Sequence, residues 1–496
     1  MFESAEVGRS ISKESFNREE PKLQTELLKA QHALREARIQ VVIILSGIEG
    51  AGKGEVLSRL CKWLDIRVLQ TYAFLDEAEE ERERPRYWRF WRVMPPRGKI
   101  SILFGSWYSQ PIIDRAFRRT GKAEFERELN RIVDFERLHA DDGALIVKFW
   151  YHLSKKLLKQ RIKEDKKYKH HEANTPFFKK FFKRFAEFLV VSERALRKTD
   201  TGPCPWHVVE ATDGRYRDLE TGRILLGVFR KRLAQLAAQK ERAEKDKVAE
   251  AIIFPDTKTA TVLETVDLAR TVTDKEYDKG VQKMQKKLYK MAWDAYLKRH
   301  NTVAVFEGWD ASGKGGAIRR VTAGIDGRLF RVISIAAPTD EERAQHYLWR
   351  FWRHIPRAGY ITMYDRSWYG RVLVERVEKF ATETEWLRAY REINEFEAQL
   401  CEHGVTLLKF WIHISAEEQL RRFKEREKLA WKQHKITEED WRNREKWNAY
   451  EDAVNDMVAH TSTDYAPWTL VPGNDKKLAR VQILQTFCDR LEAALD

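Results

Sequence analysis

Cysteine is scarce, with four in 496 residues (Cys61, Cys204, Cys401, Cys488), far apart and without a CxxC pair. That excludes a disulfide framework and a cysteine-based zinc site, and it suits a reducing cytoplasm. Long apolar runs are missing too: no stretch of about 18 apolar residues could span a bilayer. The opening MFESAEVGRSISKESFNREE lacks the apolar core of a secretory signal. Acidic residues are in deficit, 76 Asp and Glu against 91 Lys and Arg, for a formal net charge of +15. This balance favours polyanionic partners (nucleic acid, nucleotides, inorganic phosphate chains) or a generically basic surface. Core material is plentiful: 43% of the residues are hydrophobic, and the length fits two or three domains.

The chain repeats itself. SGIEGAGKGE (46–55) matches EGWDASGKGG (307–316), and Lys53 and Lys314 stand at an offset of 261 (314 − 53). The same offset carries Trp88-Arg89-Phe90-Trp91-Arg92 onto Trp349-Arg350-Phe351-Trp352-Arg353. It also carries Ser106-Trp107-Tyr108 onto Ser367-Trp368-Tyr369, and Lys148-Phe149-Trp150 onto Lys409-Phe410-Trp411. Distinctive blocks in register over most of each half identify a tandem duplication. A charged, helix-prone run ends near Pro255, which places the halves at 1–255 and 256–496. Short β-rich runs alternate with helical stretches such as Glu383–Cys401 and Ala416–Glu427. The β-rich runs are Val41–Leu45, Val303–Phe306, Val332–Ile335, Tyr360–Met363, Val405–Phe410 and Thr469–Val471. The pattern predicts an α/β fold with helices on both faces of a parallel sheet.

The second half carries the chemistry. Gly308-Trp309-Asp310-Ala311-Ser312-Gly313-Lys314 fits G-x-x-x-x-G-K, with Gly315 where Ser or Thr would follow. Such a loop turns backbone N–H groups onto one phosphate, the next helix adds its positive end, and the lysine supplies a mobile cation. The missing hydroxyl normally helps to hold Mg²⁺, so another oxygen must replace it. Asp310 is the candidate, unless it only fixes the loop through a turn hydrogen bond. Asp365-Arg366 follows a β-run, where an aspartate can hold Mg²⁺ and an arginine can reach phosphate; the alternative is a surface pair in a turn. Arg422 and Arg426 are four apart and share one helical face, either on a mobile lid or on a solvated surface. In WRFWRHIPR (349–357) the aromatics are expected to pack, with Arg353, His354 and Arg357 turned toward a phosphate channel; base stacking on nucleic acid is the alternative.

GWDASGKGG, PTDEE with LWRFWRHIPRAG, YDRSWYGRVLVERV, EEQLRRFKER and APWTLVPGNDKK together resemble the polyphosphate kinase 2 family across essentially all of the second half. The tandem arrangement is similar to its fused two-domain branch, the first half matching more loosely. The resemblance implies a three-layer α/β/α P-loop kinase fold in each half, with a helical lid at about 416–460. It implies Mg²⁺-dependent (or Mn²⁺-dependent) transfer of the terminal phosphoryl group of inorganic polyphosphate to AMP, giving ADP. Asp310 would orient the acceptor phosphate and, with Asp365, bind the metal. Lys314 and Arg366 would contact phosphate, and Arg422 and Arg426 would be the lid arginines. Gly308, Ser312, Gly313, Gly315, Gly316, Arg353, Arg357, Arg371 and Lys432 would complete the phosphate and nucleotide contacts. The partners implied are polyphosphate and AMP or ADP rather than nucleic acid or a membrane, with the two halves as an internal pseudo-dimer and further self-association open.

The first half departs from this pattern. It has Glu49 opposite Asp310, Phe104 opposite Asp365, Gly105 opposite Arg366 and Asp165 opposite Arg426. Loss of positioned charge predicts that this half is catalytically dead or nearly so, though its basic run Lys155–Lys183 could still steer polyphosphate. Competing readings are an ATP-dependent nucleoside monophosphate kinase, a polyphosphate kinase acting on nucleoside diphosphates, and a basic nucleic-acid-binding P-loop protein.

Overall fold

The computed structural model describes residues 1–74, 76–164, 176–246, 261–428 and 438–496. Pro255, the expected boundary, lies outside them. Two compact units are present. The first comprises Met1–Glu77, Arg89–Ile252 and Asp340–His346, and the second Ala78–Trp88, Ile253–Thr339 and Tyr347–Asp496.

Each unit contains a five-stranded sheet. In the first, β1 (Val41–Gly47), β2 (Leu69–Ala73), β3 (Ile100–Phe104), β4 (Leu145–His152) and β5 (Trp206–Glu210) lie in the order β2-β3-β1-β4-β5. In the second, β6 (Thr302–Gly308), β7 (Phe330–Ser334), β8 (Ile361–Asp365), β9 (Thr406–His413) and β10 (Trp468–Pro472) lie in the order β7-β8-β6-β9-β10. The pairings are parallel throughout, so the expected α/β class and its duplication hold. β6 and β9 are buried almost end to end, as strands covered on both faces must be. The edge strand β7 is largely exposed and starts two residues before the predicted Val332.

Helices cover the second sheet. Asp274–Leu297 begins with a Thr273–Glu276 capping box. Leu288 on that helix and Ile483 and Phe487 on Lys476–Leu495 pack with Phe306 and Val321 in one core. Glu383–Glu402 covers other apolar surface, with Phe396 edge-on to Trp352 and Trp368.

The repeated Ser-Trp-Tyr and Lys-Phe-Trp blocks build a buried polar network. Lys409 Nζ donates to Glu397 Oε2 (2.7 Å), the Tyr369 hydroxyl (2.9 Å) and the Thr461 carbonyl (2.6 Å). Trp368 Nε1 and the Tyr369 hydroxyl both donate to Glu397 Oε1. Lys148, Glu136, Tyr108 and Thr199 make the same set in the first unit. Breaking a buried pair this well satisfied costs several kcal/mol, about 3–5. The Ser-Trp-Tyr and Lys-Phe-Trp blocks are therefore repeated because they hold the fold in both halves. Among the described residues no helix is long and apolar enough to cross a membrane.

Candidate functional site

In both sheets the central strand is flanked by β3 and β4 or their counterparts β8 and β9. Ligands of open α/β sheets gather at the carboxyl ends of strands around such a reversal of order. In the second unit β6 runs there into the glycine loop, and β8 ends there on Asp365.

The loop geometry depends on glycine at two points. Gly308 has φ +151°, and a Cβ on it would stand 2.6 Å from the Ile412 carbonyl oxygen. Gly313 caps the helix Lys314–Thr322 in a left-handed conformation, φ +114°. Gly315 and Gly316 open that helix, with the Arg480 guanidinium 3.2 Å from where a Cβ on Gly316 would stand. Lys314 Nζ folds back onto the loop, donating to the carbonyls of Gly308 (2.6 Å) and Trp309 (3.1 Å). Ser312 is 2% exposed, and its hydroxyl has no hydrogen-bond partner among the described residues. An orphaned hydroxyl inside a phosphate-type loop points to a ligand oxygen as its missing partner.

Asp310 is held from two sides. Its carboxylate accepts from Arg366 NH2 (3.1 Å) and from Asn443 Nδ2 (2.9 Å), and its carbonyl accepts from Gln419 Nε2 (3.1 Å). The half-buried Asp365 carboxylate has no such partner among the described residues. The β6–β8 register sets Asp365 opposite Phe306, next to Arg366, and the buried Glu307 at the end of β6 accepts from Ser367 Oγ (2.7 Å). Burial pushes its carboxyl up, while Ser367, Lys314 and Arg366 pull it down and Asp365 pushes it up again. Asp310, Lys314, Asp365 and Arg366, drawn from separated stretches of sequence, thus converge on one centre.

An aromatic wall closes one side. The Trp309 ring lies parallel to Trp447 with centroids 3.7 Å apart, and its Nε1 donates to His413 Nδ1 (3.1 Å). Burial lowers the His413 pKa to about 4, which keeps the ring neutral and able to accept.

Two expectations need correction. Arg422 does not face the site from a lid; it is 2% exposed and directs its donors at protein. NH1 donates to the carbonyls of Ala311 and Ser312, NH2 to those of Gly473 and Asn474, and Nε to Glu418. Arg161, its counterpart in the first unit, likewise donates to the Gly50 and Ala211 carbonyls. An arginine kept in both halves for the same carbonyls is a strut for the loop. Arg357 is not turned toward the phosphate loop either. It precedes β8, whereas the loop lies beyond the strands' carboxyl ends, and its Nε donates to Glu83 at 2.7 Å.

The other expected residues scatter. The Arg353 guanidinium lies over Trp349 (4.8 Å), and that of Arg371 lies over Tyr347 (4.5 Å) and pairs with Glu375 at 3.2 Å. Arg426 is half-buried on the helix Ala416–Glu427. Lys432 lies outside the described residues. Of the expected lid, Ala416–Glu427, Glu438–Glu445 and Trp447–Thr461 are helical.

Sequence reasoning missed Glu307, Trp309, Ser367, Gln419 and Asn443. A signal existed in the repeat: Ser46, Ile48 and Phe181 stand where the second half has Glu307, Trp309 and Asn443.

The first unit's loop is filled by its own chain. Lys53 pairs with Glu49 at 3.1 Å. The Arg217 guanidinium, held by Asp218, stands 1.6 Å from where a Cβ on Gly52 would be. Phe2 stacks on Trp150 and His152, the counterparts of the Trp411 and His413 that Trp309 contacts.

Among the described residues no group of three or more His, Cys, Asp or Glu could hold a metal. The donor set is instead the uncommitted Asp365 carboxylate and that of Asp310, which Arg366 and Asn443 hold. That suits Mg²⁺, which keeps waters and relies on one or two carboxylates plus phosphate.

Comparison with known proteins gives a consistent result. The family profile described as Polyphosphate kinase 2 matches residues 10–237 and 271–496. The chain is 48% identical to the polyphosphate:AMP phosphotransferase of Pseudomonas aeruginosa, covering 100% of this chain and 99% of that protein. It is 35% identical to the polyphosphate:AMP phosphotransferase of Acinetobacter johnsonii, covering 96% and 97%. The crystal structure of a putative polyphosphate kinase 2 from Pseudomonas aeruginosa superposes with TM-score 0.89 at 47% identity, over 100% of this chain and 99% of that one.

Proposed function

The chain belongs to the polyphosphate kinase 2 family, and from that premise we propose that its second unit transfers the terminal phosphoryl group of inorganic polyphosphate to AMP, giving ADP. The observation that carries this reading is the convergence of Asp310, Lys314, Asp365 and Arg366 at the carboxyl ends of β6 and β8. Full-length relatives named for the same reaction support it.

Phosphoryl transfer asks a protein mainly for positioning and charge neutralisation. The acceptor is an AMP phosphate oxygen, already anionic near neutral pH, so no strong base is required. Lys314, freed from the loop carbonyls, would follow the transferring group. Arg366 would exchange its contact with Asp310 for a forked contact to phosphate. Asp310, steadied by Asn443, would orient the acceptor. Asp365, with lone pairs of Asp310, would hold Mg²⁺, which when bound supplies Lewis-acid neutralisation of the phosphate oxygens. Arg426 would be the lid arginine that contacts phosphate, while Arg422 would act through the loop it braces. The first unit, with Phe104 and Gly105 at the two decisive positions, is assigned no turnover.

The test is ADP formation by purified protein from AMP and Mg²⁺ with either polyphosphate or ATP as donor. Polyphosphate-dependent ADP is expected. ADP formed with ATP and never with polyphosphate would replace this reading by that of an ATP-dependent nucleotide kinase.

A further inference from the structure

We propose, resting on the reading of the second unit as the phosphotransferase centre, that Glu307 is a positioning residue. It latches the strained Asp365-Arg366-Ser367 turn to the end of β6 and so holds the metal carboxylate and the phosphate-facing guanidinium at the mouth of the loop.

Arg366 has φ +65°. A long side chain in the left-handed region is strained, and such strain persists only where the surroundings over-determine it. Two contacts to consecutive residues of β6 do this. Arg366 N donates to the Phe306 carbonyl (3.2 Å), and Ser367 Oγ donates to Glu307 Oε1 (2.7 Å). Glu307 is 5% exposed and Ser367 3%, so water does not compete for the side-chain bond. With the turn fixed, Arg366 reaches Asp310 at 3.1 Å.

The first unit is an internal control. Gly105, φ +77°, occupies the place of Arg366, and Ser46 that of Glu307. Glycine adopts this conformation without strain and needs no latch. The serine is nevertheless kept there, because its hydroxyl has a second role in both halves. Ser106 Oγ accepts from Tyr108 N at 3.3 Å, as Ser367 Oγ does from Tyr369 N at 3.3 Å. The glutamate is thus present in the half where an arginine must be held left-handed and absent in the half where glycine relieves the need. Its function is to accept the serine's hydrogen bond, and a glutamine carbonyl can do the same.

The test compares Glu307→Gln, Glu307→Ala, Ser367→Ala and the double alanine variant in the full chain, by steady-state ADP formation from AMP, polyphosphate and Mg²⁺, with melting curves alongside. Glu307→Gln should stay within about threefold of the wild-type kcat. Glu307→Ala and Ser367→Ala should each lose about 10- to 100-fold in kcat, with KM for AMP changed by less than about threefold. The double variant should be no worse than the poorer single, because both singles already remove the shared Ser367–Glu307 bond. A Gln variant as crippled as the Ala variant, or losses that multiply in the double variant, overturns the latch. Should Glu307→Ala fail to fold, a crippled Glu307→Gln beside a mild Ser367→Ala overturns it equally. Wild-type protein inactive with polyphosphate sinks the functional reading instead, so the two failures are distinct.

Discussion

Arg366 carries a conformational cost that its counterpart avoids, and the difference separates stability from activity at a single position. Placing an L residue in the left-handed region costs about 1–2 kcal/mol relative to its ordinary conformations. Gly105 shows the unstrained solution at φ +77° in the same turn. Arg366→Gly is therefore expected to keep the second unit at least as stable as wild type, with a gain of up to about 1 kcal/mol once glycine's greater unfolded entropy is counted. The ion pair it removes is partly exposed, Arg366 being 44% accessible, and contributes little. Turnover should fall by about 10²–10³, the usual loss when one positioned charge contact to a transition state is removed. Thermal melts and kinetics on the same preparation check both halves of the expectation. A variant that melts clearly lower would show that the turn gains stability from the arginine.

Among elements, the helix Ala416–Glu427 shows what the amino-acid pattern could and could not reveal. Its bounds, the alternation of strands with helices, and the placing of the loop and of Asp365-Arg366 at strand ends were all legible, because periodicity and glycine spacing are local properties. The inward direction of Arg422 was not. Basic residues at helical spacing look alike whether they face phosphate or backbone, and four carbonyls from two separate loops are visible only in the fold. Arg357 misled for a different reason: it precedes the predicted strand, so its place at the amino end of β8 was readable from sequence order, and the basic residue type was weighed above it. The strut is testable because it exists twice. Lysine lacks the planar fork, so Arg422→Lys would strand at least two buried carbonyls and destabilise the second unit by about 1–3 kcal/mol. Arg161→Lys should destabilise the first unit comparably while kcat stays within about twofold. If Arg422→Lys cut turnover without moving the melting transition, the guanidinium would have to face phosphate after all.

For the molecule as a whole, duplication supplies one scaffold twice and leaves chemistry to the differences. Both units keep the buried lysine–glutamate network and the arginine strut, so neither has been released from the demand to fold. The surroundings of the loop have diverged, and in the first unit they are filled from within: Glu49 on Lys53, Arg217 over Gly52, and Phe2 against Trp150 and His152. A loop lysine neutralised by its own carboxylate four residues earlier, with a guanidinium over the preceding glycine, has little room to take a phosphate. Both lysines rest on two loop carbonyls, but among the described residues Lys314 has no carboxylate in the contact that Glu49 makes with Lys53. The matched pair Lys53→Ala and Lys314→Ala therefore tests the division of labour with one chemistry at two equivalent sites. Lys314→Ala should lower kcat/KM for polyphosphate-dependent ADP formation by about 10²–10³. Lys53→Ala should remain within about twofold, because the contacts it removes, to Glu49 and to the Gly47 and Ile48 carbonyls, all lie within the first unit's own loop. Equal losses at the two lysines would mean that the first unit also handles phosphate during turnover, and the assignment of catalysis to one half would fail.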